Sequence, residues 1–189
     1  MSLRHLPNLL CIFRILLVYP VGHWILQGRY PEVLGLFAVA AFTDALDGFL
    51  AKRFDWTSDL GRLLDPLADK LLLVTSFICL SIAGLAPWWL TALVLLRDLV
   101  IVLGAMAYRV MFGELQGRPT YPSKFNTFWQ IAFCLGAISQ AAYGWPGQPL
   151  VVAAGAFALV TTAVSGIDYV LIYSRRAAAV SCARAAATR

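Results

Sequence analysis

The sequence predicts an all-α integral membrane protein. Of its 189 residues, 60% are hydrophobic and only 13% are charged, against about half and about a quarter in an ordinary soluble domain. The interior of a chain this size cannot hide so much apolar surface from water. The apolar residues also gather into stretches of about 20, the length that crosses a bilayer as a helix. The rare charges sit mostly between those stretches. Such a composition excludes disorder, and the absence of a dense basic run excludes a nucleic-acid-binding arm.

Six spans are expected, over residues 8–27, 31–52, 60–83, 87–108, 123–143 and 150–173. The first carries Arg14 and is followed by no clear small-residue cleavage site, so it reads as a retained helix rather than a signal peptide. Gly28 to Pro31 ends it, and Asp55 to Asp59 separates the second span from the third. Gly84 to Pro87, Gly113 to Pro122 and Gly144 to Pro149 mark the remaining breaks. Residues 1–174 are thus expected to form the membrane domain. Residues 175–189 form a basic tail, expected to be disordered. Cys11, Cys79, Cys134 and Cys182 are far apart and form no CxxC pair, so no disulfide framework is expected.

Positive charge sets the orientation. Arg4, Lys52, Arg53, Arg109, Arg118, Lys124, Arg175, Arg176, Arg184 and Arg189 fall on one side, and Arg29 alone on the other. The positive-inside rule places both termini and the two longer loops in the cytoplasm. Trp24, Tyr30, Trp88, Trp89, Tyr143 and Trp145 then form an outer aromatic belt. The net charge of +5 gathers on the cytoplasmic face, where it favours anionic lipid head groups.

The acidic residues carry the chemistry. There are only ten, yet Asp44, Asp47, Asp65 and Asp69 all fall at the cytoplasmic ends of the second and third spans. Asp44 and Asp47 are three apart and Asp65 and Asp69 four apart, so each pair shares a helix face. A short polar connection makes the two helices antiparallel neighbours and gathers the four carboxylates. An Asp at mid-membrane costs about 3 kcal/mol, less near the interface, and like charges repel. Arg62 and Lys70 cannot balance four carboxylates. One or two hard divalent cations can, and oxygen-only ligands select Mg²⁺ or Mn²⁺. Gly48, Ala51 and Gly61 leave room beside the acids for a bulky polar ligand, although small residues also serve close helix packing.

The segment from Asp44 to Asp69, DALDGFLAKRFDWTSDLGRLLDPLAD, resembles the signature of the CDP-alcohol phosphotransferases, D-x2-D-G-x2-A-R-x8-G-x3-D-x3-D. Lys52 stands where that family has Arg; the other seven fixed positions match. Pro7, Asn8 and Arg14 in LPNLLCIFR, and DPLADK at Asp65 to Lys70, are similar to the glycerol-lipid branch. The resemblance covers roughly residues 6–140. It implies six membrane helices around a polar cavity open to the cytoplasm, in the inner (cytoplasmic) membrane, commonly as a homodimer. The implied reaction moves the phosphatidyl group of CDP-diacylglycerol to an alcohol and releases CMP. By position, Asp44, Asp47 and Asp65 would bind the metal. Asp69 would be the catalytic base, touching a second metal where one binds. Asp44, Gly48, Ala51, Lys52, Gly61 and Asp65 would line the CDP site.

Arg14, Arg97, Arg118 and Lys124 are the remaining cations near or inside the bilayer, and with Asn126 they are candidates for lipid or acceptor phosphate. Arg97 and Asp98 are adjacent, so each is expected to face its own partner; a structural interhelical pair and a functional role are equally open. GRPTYPSKFNT at Gly117 to Thr127, with Arg97 and Asp98, resembles the cardiolipin-forming members. The members that make phosphatidylglycerol phosphate carry a second lysine where Asn126 stands. Glycerol 3-phosphate, nearly a dianion, wants that extra cation more than phosphatidylglycerol does. The acceptor is therefore expected to be phosphatidylglycerol, with glycerol 3-phosphate the alternative. Prenyl transfer, a divalent-cation carrier and a purely structural membrane protein are the rival readings.

Overall fold

The backbone of residues 6–54, 59–112 and 121–187 is described in a computed structural model, with side chains described for 9–44, 46, 67–104, 106 and 122–172. Six helices follow one another: α1 Leu6–Leu26, α2 Tyr30–Phe54, α3 Asp59–Ile82, α4 Trp88–Phe112, α5 Tyr121–Tyr143 and α6 Gln148–Ala187. They fall on the six apolar stretches in order.

Glycine ends α1 and α3 in the same way. Gly28 (φ 73°) and Gly84 (φ 76°) adopt the left-handed conformation that a side chain disfavours. Behind Gly28, the Gly28 amide donates to the Ile25 carbonyl at 3.1 Å and the Arg29 amide to the Trp24 carbonyl at 2.9 Å. Behind Gly84, the Gly84 amide donates to Ser81 at 3.1 Å and the Leu85 amide to Leu80 at 2.8 Å. These bonds satisfy helix-end carbonyls that would otherwise lack partners.

The last span differs from expectation. It does not stop at residue 173: α6 is 40 residues long and runs to Ala187. The tail expected to be disordered is helical as far as that residue. Its sequence, RRAAAVSCARAAA, consists mostly of alanine and arginine, two of the strongest helix formers, and no Gly or Pro interrupts it.

The chain divides into two compact units, Met1–Pro87 with Cys134–Val151, and Trp88–Phe133 with Val152–Arg189. In the first, α1 packs against both α2 and α3. Its buried face is a helical stripe of Cys11, Arg14, Leu17, Val21 and Ile25. The approach to α3 is close at Gly22, where a Cβ would stand 3.0 Å from Thr75 Cγ2 and 3.3 Å from Cys79 Sγ. In the second, Trp129 of α5 stacks on Phe157 of α6 with ring centroids 4.4 Å apart. A Cβ on Gly155 of α6 would meet the Phe133 ring at 3.1 Å.

The exterior is apolar. Large hydrophobic side chains are exposed on every helix, among them Leu16, Phe42, Leu67, Leu103, Phe125 and Val164. Water would not tolerate that surface; lipid would. Among the described residues, α1 over Leu9–Leu26 and α6 over Gln148–Ile172 are long and apolar enough to cross a membrane. The other helices carry more polar and charged groups, such as Arg97 and Asp98 in α4 and Asn126 and Gln130 in α5. Arg29, the one cation expected on the outer side, is paired with Glu32 at 2.7 Å and lies over the Trp24 ring at 5.1 Å. It therefore weighs little against the charge asymmetry.

Candidate active site

Three inward stripes lead to one point. On α1, Arg14 stands among the buried positions Cys11, Leu17 and Val21, itself only 1% exposed. On α2, the buried row Val33, Phe37 and Ala40 continues at helical spacing to Asp44. On α3, Asp69 precedes the buried row Leu73, Phe77 and Leu80 by one turn. Helical periodicity therefore aims all three polar residues at the same place.

They meet through one nitrogen. Arg14 Nη1 donates to Asp44 Oδ1 at 2.9 Å and to Asp69 Oδ1 at 2.5 Å. The carboxylates are 25 residues apart in sequence, on different helices, and share that atom. Arg14 is enclosed, but the side chains of Asp44 and Asp69 are 56% and 54% exposed. The cation is thus fixed in the packing while the acids open to whatever enters. An arginine enclosed among apolar helices needs such partners; Arg14 was expected to meet lipid phosphate, and its contact with the acids was not expected.

Of the expected metal and nucleotide residues, Asp44 and Asp69 are brought together. Asp47, Gly48, Ala51 and Lys52 lie on α2, and Gly61 and Asp65 on α3; their side chains fall outside the described residues. Arg118 lies outside them altogether. Among the described residues, no three metal-type side chains gather in one group. The two that are described still suit a hard divalent ion. Both offer anionic oxygen, the donor that such ions select. They converge from two helices on one guanidinium nitrogen.

A second polar region belongs to α4, α5 and α6. Arg97 and Asp98 are 6% and 7% exposed. Arg97 Nη1 donates to Asp98 Oδ1 at 3.0 Å, and Nη2 donates to Ser123 Oγ at 2.8 Å and Ser165 Oγ at 2.6 Å. The Tyr169 ring lies 5.7 Å from the guanidinium carbon. Arg97 and Asp98 were expected to face separate partners; they instead pair with each other, while Arg97 also reaches Ser123 and Ser165. Adjacent residues leave a helix about 100° apart, but the arginine stem is long enough to bring its head back to the neighbouring carboxylate.

Asn126 is fully buried. Its Oδ1 accepts from Thr162 Oγ1 at 2.7 Å and Thr161 Oγ1 at 3.1 Å. Gln130 Nε2 in turn donates to Thr162 Oγ1 at 3.3 Å. The Asn126 amide nitrogen is buried with no hydrogen-bond partner among the described residues. Lys124, two positions earlier, is exposed.

Fold and site together define a helical protein with a lipid-compatible exterior and a carboxylate–guanidinium centre between its first three helices. Residues 4–164 match the family described as CDP-alcohol phosphatidyltransferase, and the chain belongs to that family. It is 30% identical over 180 residues to human cardiolipin synthase (CMP-forming), an alignment covering 87% of this chain and 60% of that protein. It is 31% identical over 176 residues to a probable phosphatidylglycerophosphate synthase of Mycobacterium tuberculosis, covering 89% and 81%. A chloroplastic CDP-diacylglycerol–glycerol-3-phosphate 3-phosphatidyltransferase of rice is 32% identical over 157 residues, covering 74% and 48%. The chain spans 60% of the length of the human relative.

Proposed function

We propose that this chain is a metal-dependent phosphatidyltransferase. It moves the phosphatidyl group of CDP-diacylglycerol to a glycerol-type acceptor and releases CMP. The observation that carries the reading is the convergence of Asp44 and Asp69, half open, on Arg14. A structural protein has no use for two half-exposed acids held at one nitrogen inside an apolar shell.

Asp44, Asp47 and Asp65 hold the divalent ion, Mg²⁺ or Mn²⁺. Once bound, it neutralises charge on the donor's diphosphate and on the departing CMP oxygen. Asp69 takes the proton of the acceptor hydroxyl, which is a poor nucleophile until it loses that proton. Gly48, Ala51, Lys52 and Gly61 line the nucleotide. Arg14 contacts the lipid phosphate. The membrane domain comprises residues 1–174, with six spans around a cytoplasm-facing cavity in the inner membrane. Both termini are cytoplasmic, the tail from residue 175 lies on anionic lipid, and the chain pairs as a homodimer. In this arrangement the nucleotide arrives from water while the acyl tails stay in the bilayer.

The favoured acceptor is phosphatidylglycerol, giving cardiolipin. Asn126 in place of a second lysine supports it, because the buried amide nitrogen offers a neutral donor rather than a second positive charge. Arg97, Lys124 and Arg118 supply the remaining acceptor-side cations. Relatives named for both products match at nearly equal identity, so glycerol 3-phosphate is kept as the second reading. Purified protein with Mg²⁺ and CDP-diacylglycerol, offered each acceptor in turn, decides between them. CMP release with phosphatidylglycerol alone is expected, and release with glycerol 3-phosphate alone would reverse the choice.

A further inference from the structure

We infer that the outer half of the seam between α1 and α3 holds a phospholipid, with one acyl chain laid along a groove and the glycerol and phosphate at its outer end. The inference rests on reading the chain as a membrane protein and is independent of the acid centre.

The groove lies within the first unit, where α1 and α3 pack against each other. Its volume is about 480 Å³. It begins at Ile15 and runs along α1 to Leu26, a length of about 16 Å. At Gly22 the two helices come so close that a Cβ would meet Thr75 Cγ2 at 3.0 Å, which closes the seam behind the groove. Ile15, Val18 and Leu26 give it an apolar lining. Tyr19 and His23 form a wall, their rings stacked 5.8 Å apart and 6° from parallel. Thr75 supplies the α3 side.

Width selects the occupant. Over that length, a volume of about 480 Å³ gives a mean section of about 30 Å². A helix, about 10–12 Å across, needs about 80 Å² or more, so neither a second copy's helix nor another protein's span enters it. A hydrocarbon chain, one methylene wide, does. The same two helices carry exposed Leu16, Leu71 and Ile82, the kind of exterior that lipid covers. A groove left empty there would forfeit its dispersion contacts.

Polarity selects the kind of lipid. Tyr19 and Thr75 bring hydroxyls to the lining, and His23 an imidazole. Gln27 Nε2 donates to His23 Nε2 at 2.9 Å, which makes the other ring nitrogen the donor. A bare hydrocarbon has nothing to offer these groups, whereas ester and phosphate oxygens accept from all of them. A mostly apolar concavity with a few polar groups is the pattern of a ligand site. By the charge asymmetry, His23 and Gln27 fall at the outer end of α1, where a lipid's polar part sits.

The full chain in phosphatidylethanolamine vesicles tests this, with a trace of that lipid carrying a diazirine in one acyl chain. Phosphatidylethanolamine is neither donor nor acceptor in the proposed reaction. After illumination, labelled residues are mapped by mass spectrometry. Label on Ile15, Val18 and Thr75 should exceed that on Val152 and Phe157, exposed on α6, by about tenfold, the preference that two more buried methylenes confer. Label spread evenly over the exterior overturns the inference. Val18→Trp fills the groove and should bring label on Ile15 and Thr75 down to the α6 level; label that persists overturns it. Should Val18→Trp not fold, a diazirine fatty acid, lacking glycerol and phosphate, takes its place. It should label these residues no more than α6, and labelling as strong as the phospholipid's overturns the assignment.

Discussion

Replacing Arg97 by Met removes a buried cation of α4 that holds three side-chain partners. The side chain is 6% exposed, and its guanidinium bonds Asp98, Ser123 and Ser165 at 3.0, 2.8 and 2.6 Å. Met fills a similar volume, so little of the loss comes from packing. What remains is Asp98, 7% exposed, deprived of its neighbouring positive charge. Breaking a buried pair from one side costs about 3–5 kcal/mol. The two serine contacts add less, because hydrogen bonds between membrane helices average about 0.6 kcal/mol. The double change Arg97→Met with Asp98→Leu removes both charges and should recover most of the loss, since a buried pair replaced by apolar groups is often neutral. Equilibrium unfolding in mixed detergent micelles, read by tryptophan fluorescence, measures both variants. A single variant within 1 kcal/mol of the unmodified chain, or a double variant no better than the single, would refute the claim that the pair is a unit.

Further outcomes follow from the same contacts. Gly22→Leu drives a side chain into Thr75 and Cys79, where even a Cβ meets 3.0 Å; it should cost about 1–3 kcal/mol, visible as a lower unfolding midpoint. Asn126→Ala removes the acceptor of the Thr162 hydroxyl, whereas Thr161 keeps the Phe157 carbonyl at 2.7 Å, and should cost about 1–2 kcal/mol. If the amide also serves the acceptor, its KM for phosphatidylglycerol rises while that for CDP-diacylglycerol holds, as steady-state kinetics with each substrate varied will tell. Gly28→Val forces a branched side chain into a positive φ of 73° and should lose about 1–2 kcal/mol, with circular dichroism on heating as the readout.

Much of this was legible in the sequence because lipid imposes simple rules. A span needs about 20 apolar residues, and glycine and proline punctuate helices, so the six helices fall where hydropathy put them. The convergence of Asp44 and Asp69 was legible for a related reason: acids are rare in this chain, and helical spacing fixes their faces. Arg14 could be placed at their level but not assigned to them, because sequence gives depth along a helix and not the rotation of one helix against another. The pairing of Arg97 with Asp98 was not foreseen, because the rule for neighbouring helical residues describes Cβ directions, whereas a long arginine returns to its neighbour. The end of α6 was missed because hydropathy marks where lipid stops, while alanine and arginine keep the helix going in water. The Asn126–Thr162–Gln130 bonds were hidden too, since pairing across two helices depends on their register.

The most direct test of the account is CMP formation from CDP-diacylglycerol by the purified chain, with phosphatidylglycerol present, before and after the divalent ion is chelated. Activity should vanish with chelation and return with Mg²⁺, and Asp69→Asn should lower kcat by about 10²-fold or more. CMP release that survives chelation, or an Asp69→Asn variant with full turnover, would contradict the account.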